Sequence, residues 1–273
     1  SPYTNIQVSA QTAANLSASV SAFPAMAKTG WMITVVMTIT NSGQAAALSV
    51  APTLVTNPAG ANIVTLLDTP APASSDIPGG STHYFTWTYS AAAEGIVNFS
   101  GNAAGTDANS SAPVISNYSF AQVSILTPAV LNAAIYIEPL TISSGQLFTV
   151  VMVVSNTGQA AANNVTPNPY PLTKIGSAGT EANPSGPVPV SANIAGGTSA
   201  IFTWTYTATT AGNLYFSGSA RGFDVLSGQQ ITQTAKRSDT HTVISGASLQ
   251  SQLSVFPSSV NLDTICLLYT SPS

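Results

Sequence analysis

The stretch Phe85-Thr86-Trp87-Thr88-Tyr89 returns as Phe202-Thr203-Trp204-Thr205-Tyr206. Side chains of an extended strand alternate between faces, so the three rings share one face and the two threonines the other. Such a strand has one side for a core and one for water, and two copies of it require two such cores. Each copy follows a double glycine, Gly79-Gly80 or Gly196-Gly197, and precedes Gly-x-x-x-Phe-Ser-Gly-x-Ala at 95–103 or 212–220. The chain reads as a tandem of one all-β unit whose core signature is Phe85, Trp87, Tyr89 and Phe99, then Phe202, Trp204, Tyr206 and Phe216.

The first unit is placed at 14–126 and the second at 127–246. Within the first, residues 32–40 alternate Ile33, Val35, Met37 and Ile39 with Thr34, Val36, Thr38 and Thr40, the period of a half-buried strand. Asn41-Ser42-Gly43 is expected to close that strand because Asn and Gly accept the left-handed backbone of a tight turn. Further strands are expected at 16–23, 45–56, 63–67, 82–90, 97–105 and 114–125, with Pro70, Pro72 and Pro78 making a loop. Seven short strands separated by turn signals fit an antiparallel β-sandwich of immunoglobulin-like type. The second unit repeats the order, and its proline-rich stretch 167–189 differs most from its counterpart. Anything specific to one unit is expected there.

Residues 3–9 align without a gap against 118–124, so 1–13 reads as the last strand of a preceding, truncated repeat. Residues 249–257 echo 16–24, so 247–265 reads as the opening of a third. The final 266–273, beginning at the single cysteine, Cys266, resembles a translated transposase-library sequencing adapter and is read as an artefact of a metagenomic fragment.

Charged residues are only 5% of the 273, with a net charge of -4, so nothing offers the basic footprint that nucleic acid or an anionic membrane needs. No run of eighteen apolar residues is present, and no membrane insertion is expected of this fragment. With Cys266 set aside, cysteine chemistry falls away. His83 and His241 occupy unrelated places in the two units, whereas a base serving near-duplicate domains should recur. The nine carboxylates are scattered singly, without the clustered oxygens that calcium requires. No catalytic residue, metal site or cofactor is therefore expected. Asp107 and Asp224 are the one acidic pair at equivalent positions, which suits a ligand or linker contact or a loop cap. The counterpart of Trp31 in the other copy is Gln146, and Trp31 is read as a surface or linker-packing residue. A sugar-stacking role for Trp87 and Trp204 competes with core packing, and the alternation favours the core.

The pattern Gly-x-x-Phe-Thr-Val-x-Met-x-Val-x-Asn-x-Gly-Gln-Ala-Ala-Ala, then Gly-Gly-x-x-x-x-Phe-x-Trp-x-Tyr, then Gly-x-x-x-Phe, resembles the bacterial cell-adhesion-related (CARDB-like) domain family and neighbouring immunoglobulin-like surface repeats. The resemblance covers most of both units. It implies an extracellular, non-enzymatic spacer or adhesive module of a bacterial or archaeal surface protein, with adjacent repeats as partners. Where many members carry an acidic, asparagine-rich strand, this chain reads Asp107-Ala-Asn-Ser-Ser and Asp224-Val-Leu-Ser-Gly. The alternative reading is a carbohydrate- or protein-binding accessory module working through the proline-rich loops or Trp31.

Overall fold

The structure is a computed structural model that describes residues 10–57, 62–182, 184–247 and 249–251. The strand expected at 3–8, most of the one expected at 249–257, and Cys266 lie outside them. Ten strands come first: β1 Leu16–Phe23, β2 Met26–Ala27, β3 Met32–Asn41, β4 Ala47–Asn57, β5 Val64–Asp68, β6 Ser75–Ile77, β7 Thr82–Ala91, β8 Gly95–Asp107, β9 Pro113–Ile115 and β10 Ser119–Ile125. Twelve follow: β11 Leu131–Glu138, β12 Thr141–Ser143, β13 Leu147–Asn156, β14 Ala162–Gly176, β15 Gly179–Thr180, β16 Ser185–Val188, β17 Ala192–Ile194, β18 Ser199–Thr210, β19 Gly212–Asp224, β20 Gln230–Thr232, β21 Lys236–Arg237 and β22 His241–Ile244.

Two sheets enclose the first core, in the orders β1-β3-β7-β5 and β2-β10-β8-β4-β6. The second core lies between β11-β13-β18-β15 and β12-β22-β19-β14-β17. Lettered along the chain, one sheet of each pair runs A-B-E-D and the other holds C, F and G, the strand order of an immunoglobulin-like sandwich. The described residues are all-β, and their fold is a pair of such sandwiches.

Alternation builds each core. Ile33, Val35, Met37 and Ile39 of β3 are fully buried. Val35 lies opposite Trp87 and Met37 opposite Phe85 in β7, as Val150 and Met152 of β13 lie opposite Trp204 and Phe202 of β18. The facing sheet contributes Val97, Phe99 and Ala103 to the first core and Leu214, Phe216 and Ala220 to the second.

The strand count exceeds the expected seven for identifiable reasons. The proline-bearing segment 70–78 is not all loop, because β6 pairs with the start of β4. The single last strand expected at 114–125 is two, β9 and β10. Between them the Ser116 hydroxyl accepts the Ala103 amide, and the Asn117 side chain bonds both the amide and the carbonyl of Ala18. Side chains there replace a stretch of backbone ladder. The sandwiches are also not purely antiparallel: β2 joins β10, and β12 joins β22, in parallel, because the first strand of each unit crosses to the second sheet after Pro24 or Pro139.

Candidate functional site

Asn41 and Gly43 do not form a left-handed turn; neither has a positive φ. Asn41 is instead a buried hub. Its Oδ1 accepts the amides of Asn15 and Gly43, and its Nδ2 donates to the carbonyls of Ala45 and Ile77 at 2.9 and 3.0 Å. A buried amide with all these partners fixes the incoming chain against the end of β3. Gly43 is required for clearance, since a Cβ there would overlap the backbone of Ala13. The double glycine divides the labour. A Cβ on Gly79 would overlap the Gln44 carbonyl, while Gly80 takes the left-handed φ of +74°. Asn156, Gly158, Gly196 and Gly197 repeat each of these relations with Val130, Pro128 and Gln159.

The equivalent acids complete this latch. Asp107, at the end of β8, is 2% exposed; its Oδ2 accepts the Ala14 amide at 2.7 Å and its Oδ1 the Asn109 and Ser110 amides and the Ser110 hydroxyl. The Ala14 amide, followed by the Ser110 groups, holds its pKa down at about 2. Asp224, 1% exposed at the end of β19, accepts the Ala129 amide at 2.9 Å and the Ser227 amide and hydroxyl. Burial pushes its pKa up, but the hydrogen bonds from Ala129, Ser227 and Leu226 outweigh this and leave it lowered.

The consequence lies in the connector 126–130. The Leu126 amide donates to Ala27 of the first sandwich. From the next residue every amide belongs to the second: Thr127 donates to Gln159 Oε1, Ala129 to Asp224 and Val130 to Asn156, while residue 128 is a proline without an N–H. Thr127 also accepts the Ala160 amide with its carbonyl and the Gln159 amide with its hydroxyl. Control of the chain passes between Leu126 and Thr127 with no free residue between. Thr12, Ala14 and Asn15 make the same contacts with Gln44, Asp107 and Asn41 at the start of the first sandwich.

Trp31 lies in the turn after β2, half-buried against the first core, with Lys28 Nζ 5.7 Å from its ring centre. Its counterpart Gln146 uses its side chain to accept the Ser143 amide. Trp87 and Tyr89 are each 6% exposed and line a cleft of about 490 Å³ with Leu54 and Leu66 at one edge of the sandwich. Trp204 is fully buried and Tyr206 nearly so, with Leu172 and Ala178 in their cluster. Phe85, Phe99, Phe202 and Phe216 are buried.

His241 was missed as a structural residue. It takes the place of Val123, since His241 pairs with Leu214 where Val123 pairs with Val97. It is fully buried, stacked on Phe148 at 4.6 Å, and neither ring nitrogen has a hydrogen-bond partner among the described residues. Burial lowers its pKa, and the backbone of Pro139 and Leu140 opposes this less strongly. Among the described residues no three His, Cys, Asp or Glu side chains cluster as a metal site, and no helix is long and apolar enough to cross a membrane.

No protein-family model matches the chain, and no curated protein matches it in sequence. Among solved structures it is similar to the Escherichia coli adhesin FdeC, at 16% identity over 95% of this chain and 73% of that one, with a TM-score of 0.35. It is also similar to the Yersinia pseudotuberculosis adhesin InvE, at 14% identity over 84% of this chain and 60% of that one, TM-score 0.25. A third is the type II cohesin dyad of the ScaA scaffoldin of Acetivibrio cellulolyticus, at 8% identity over 85% and 97%, TM-score 0.29. Likenesses this loose transfer no role to this chain, and the assignment of the sandwiches rests on their own strand order.

Proposed function

We propose that the chain is a non-enzymatic spacer of a bacterial or archaeal surface protein, in the manner of cell-adhesion-related immunoglobulin-like repeats, lengthening an extracellular array one sandwich at a time. The connector carries this reading. A flexible tether leaves residues unbound between domains, whereas here the amides of residues 126, 127, 129 and 130 are bound and Pro128 fixes its own φ. A spacer needs a joint that transmits orientation, and the latch that makes it stands at the start of both sandwiches. The sparse charge and the scattered carboxylates suit a neutral, hydroxyl-rich stalk better than a catalytic surface. Nitrogen-15 relaxation of the chain tests this. Both sandwiches should share one rotational correlation time, and Asp224→Ala should separate them; independent tumbling of the unaltered sandwiches would remove the support for a spacer.

A further inference from the structure

The two sandwiches differ most along β14, and the difference has a defined form. In the first, Thr53 and Val55 of β4 lie opposite Asn102 and Ser100, with only Leu54 between them. In the second, Asn168 and Thr173 of β14 occupy those places opposite Ser219 and Ser217, with four residues between. Leu172 re-enters the core where Leu54 stood, 3% exposed, so Pro169-Tyr170-Pro171 is a three-residue insertion thrown outward. Tyr170 is 65% exposed, yet its position is fixed because its hydroxyl donates to the Gly186 carbonyl at 2.8 Å.

Beside it lies a pocket of about 260 Å³ lined by Thr166, Pro167, Tyr170, Pro187, Val190 and Arg221. Arg221 is exposed and lies opposite Thr166. The first sandwich has the pair Ala104 and Ala51 there, so both the ring and the charge are additions particular to the second. From this pocket we infer a binding site for one carboxylated sugar ring, a uronic acid residue of an acidic glycan.

Size, shape and charge each narrow the ligand. The pocket is smaller than the roughly 300–1,000 Å³ that takes drug-sized ligands, which suits a single ring. A tyrosine held by its own hydroxyl presents a rigid aromatic surface at little entropic cost, suited to the C–H face of a sugar. Arg221 is the one charge in the lining, and guanidinium pairs with carboxylate in a two-pronged geometry. An extended peptide fits less well. It binds through a backbone ladder, and prolines 167, 169, 171, 187 and 189 remove the amide donors around the pocket.

The site goes beyond the spacer reading and stands or falls separately from it, because its test reads ligand binding and not the joint. The full chain, labelled with nitrogen-15, is titrated with methyl glucuronide, methyl glucoside and trialanine. The glucuronide should saturate in the millimolar range, as so few contacts imply, and shift the amides of Thr166, Tyr170, Val190 and Arg221. The glucoside should bind roughly tenfold more weakly, the factor expected for one charge-assisted pair. Arg221→Gln should bring the glucuronide down to the glucoside's affinity, and Tyr170→Ala should abolish binding of both. Arg221 and Tyr170 are exposed, so both variants should keep the spectrum of the folded chain. Absence of saturable glucuronide binding, equal binding by Arg221→Gln, or tighter binding of trialanine at the same amides would each overturn the assignment.

Discussion

At the scale of single residues, the two sandwiches share their aromatic core and part at His241. Trp204 is fully buried, so Trp204→Ala should cost about 3–5 kcal/mol in denaturant unfolding, as large aromatic truncations do. A change under about 1 kcal/mol would mean that the ring contributes little to the core. His241 places two unpartnered polar atoms where the first sandwich has a valine. His241→Leu should therefore stabilise the second sandwich by on the order of 1 kcal/mol at neutral pH. Its folded pKa lies below the ordinary 6.5, so its contribution is complete above pH 6.5 and is lost as pH falls through the folded value. Thermal melts should show the second sandwich weakening first as pH drops from 7 to 5, and His241→Leu should flatten that slope. The aspartates act in a different window. Asp107 titrates at about 2, so its latch is complete above its ordinary 3.8 and lost only as pH falls toward 2.

At the scale of elements, the long strands were legible in the sequence because their burial is local and periodic. Ile33 to Ile39 and Phe85 to Tyr89 announce both strand and face with no knowledge of their partners. The latch was not legible, although Asn41, Gly43, Gly79, Gly80 and Asp107 all lay in the recognised motifs. Asn41 bonds Asn15 and Ile77, and Asp107 bonds Ala14, 93 positions away, so their role depends on the whole sandwich closing. The same holds for β2, β6 and β9, which are too short to show a period and exist only because a neighbouring edge pairs with them. The outward insertion at Tyr170 was visible only as a variable proline-rich stretch until the register on either side was known. One substitution tests the clearance argument. Gly158→Ala should cost about 1–3 kcal/mol, as overpacking does, because its methyl would overlap the Pro128 carbonyl. Gly246→Ala, with nothing within 4 Å, should stay within about 0.5 kcal/mol by the same denaturation measurement.

At the scale of the whole molecule, the two cores and four sheets of the described residues are joined by five residues whose backbone amides, Pro128 aside, are bound to one sandwich or the other. Hydrogen bonds tie the joint to both sandwiches, and among the described residues no three His, Cys, Asp or Glu side chains cluster. A chelator should leave the melting temperature unchanged, and a clear upward shift on adding calcium would contradict this. In the proposed spacer the joint holds the sandwiches apart. Small-angle scattering on residues 10–247, compared with the same fragment carrying a Gly-Gly-Ser-Gly insertion between Leu126 and Thr127, tests it most directly. Strands of about ten residues rise ~3.3 Å apiece, so the unaltered fragment should be elongated, with a maximum dimension of roughly 70 Å or more, and the insertion should broaden its distance distribution. A compact, side-by-side pair, or a distribution that the insertion leaves unchanged, would contradict the account.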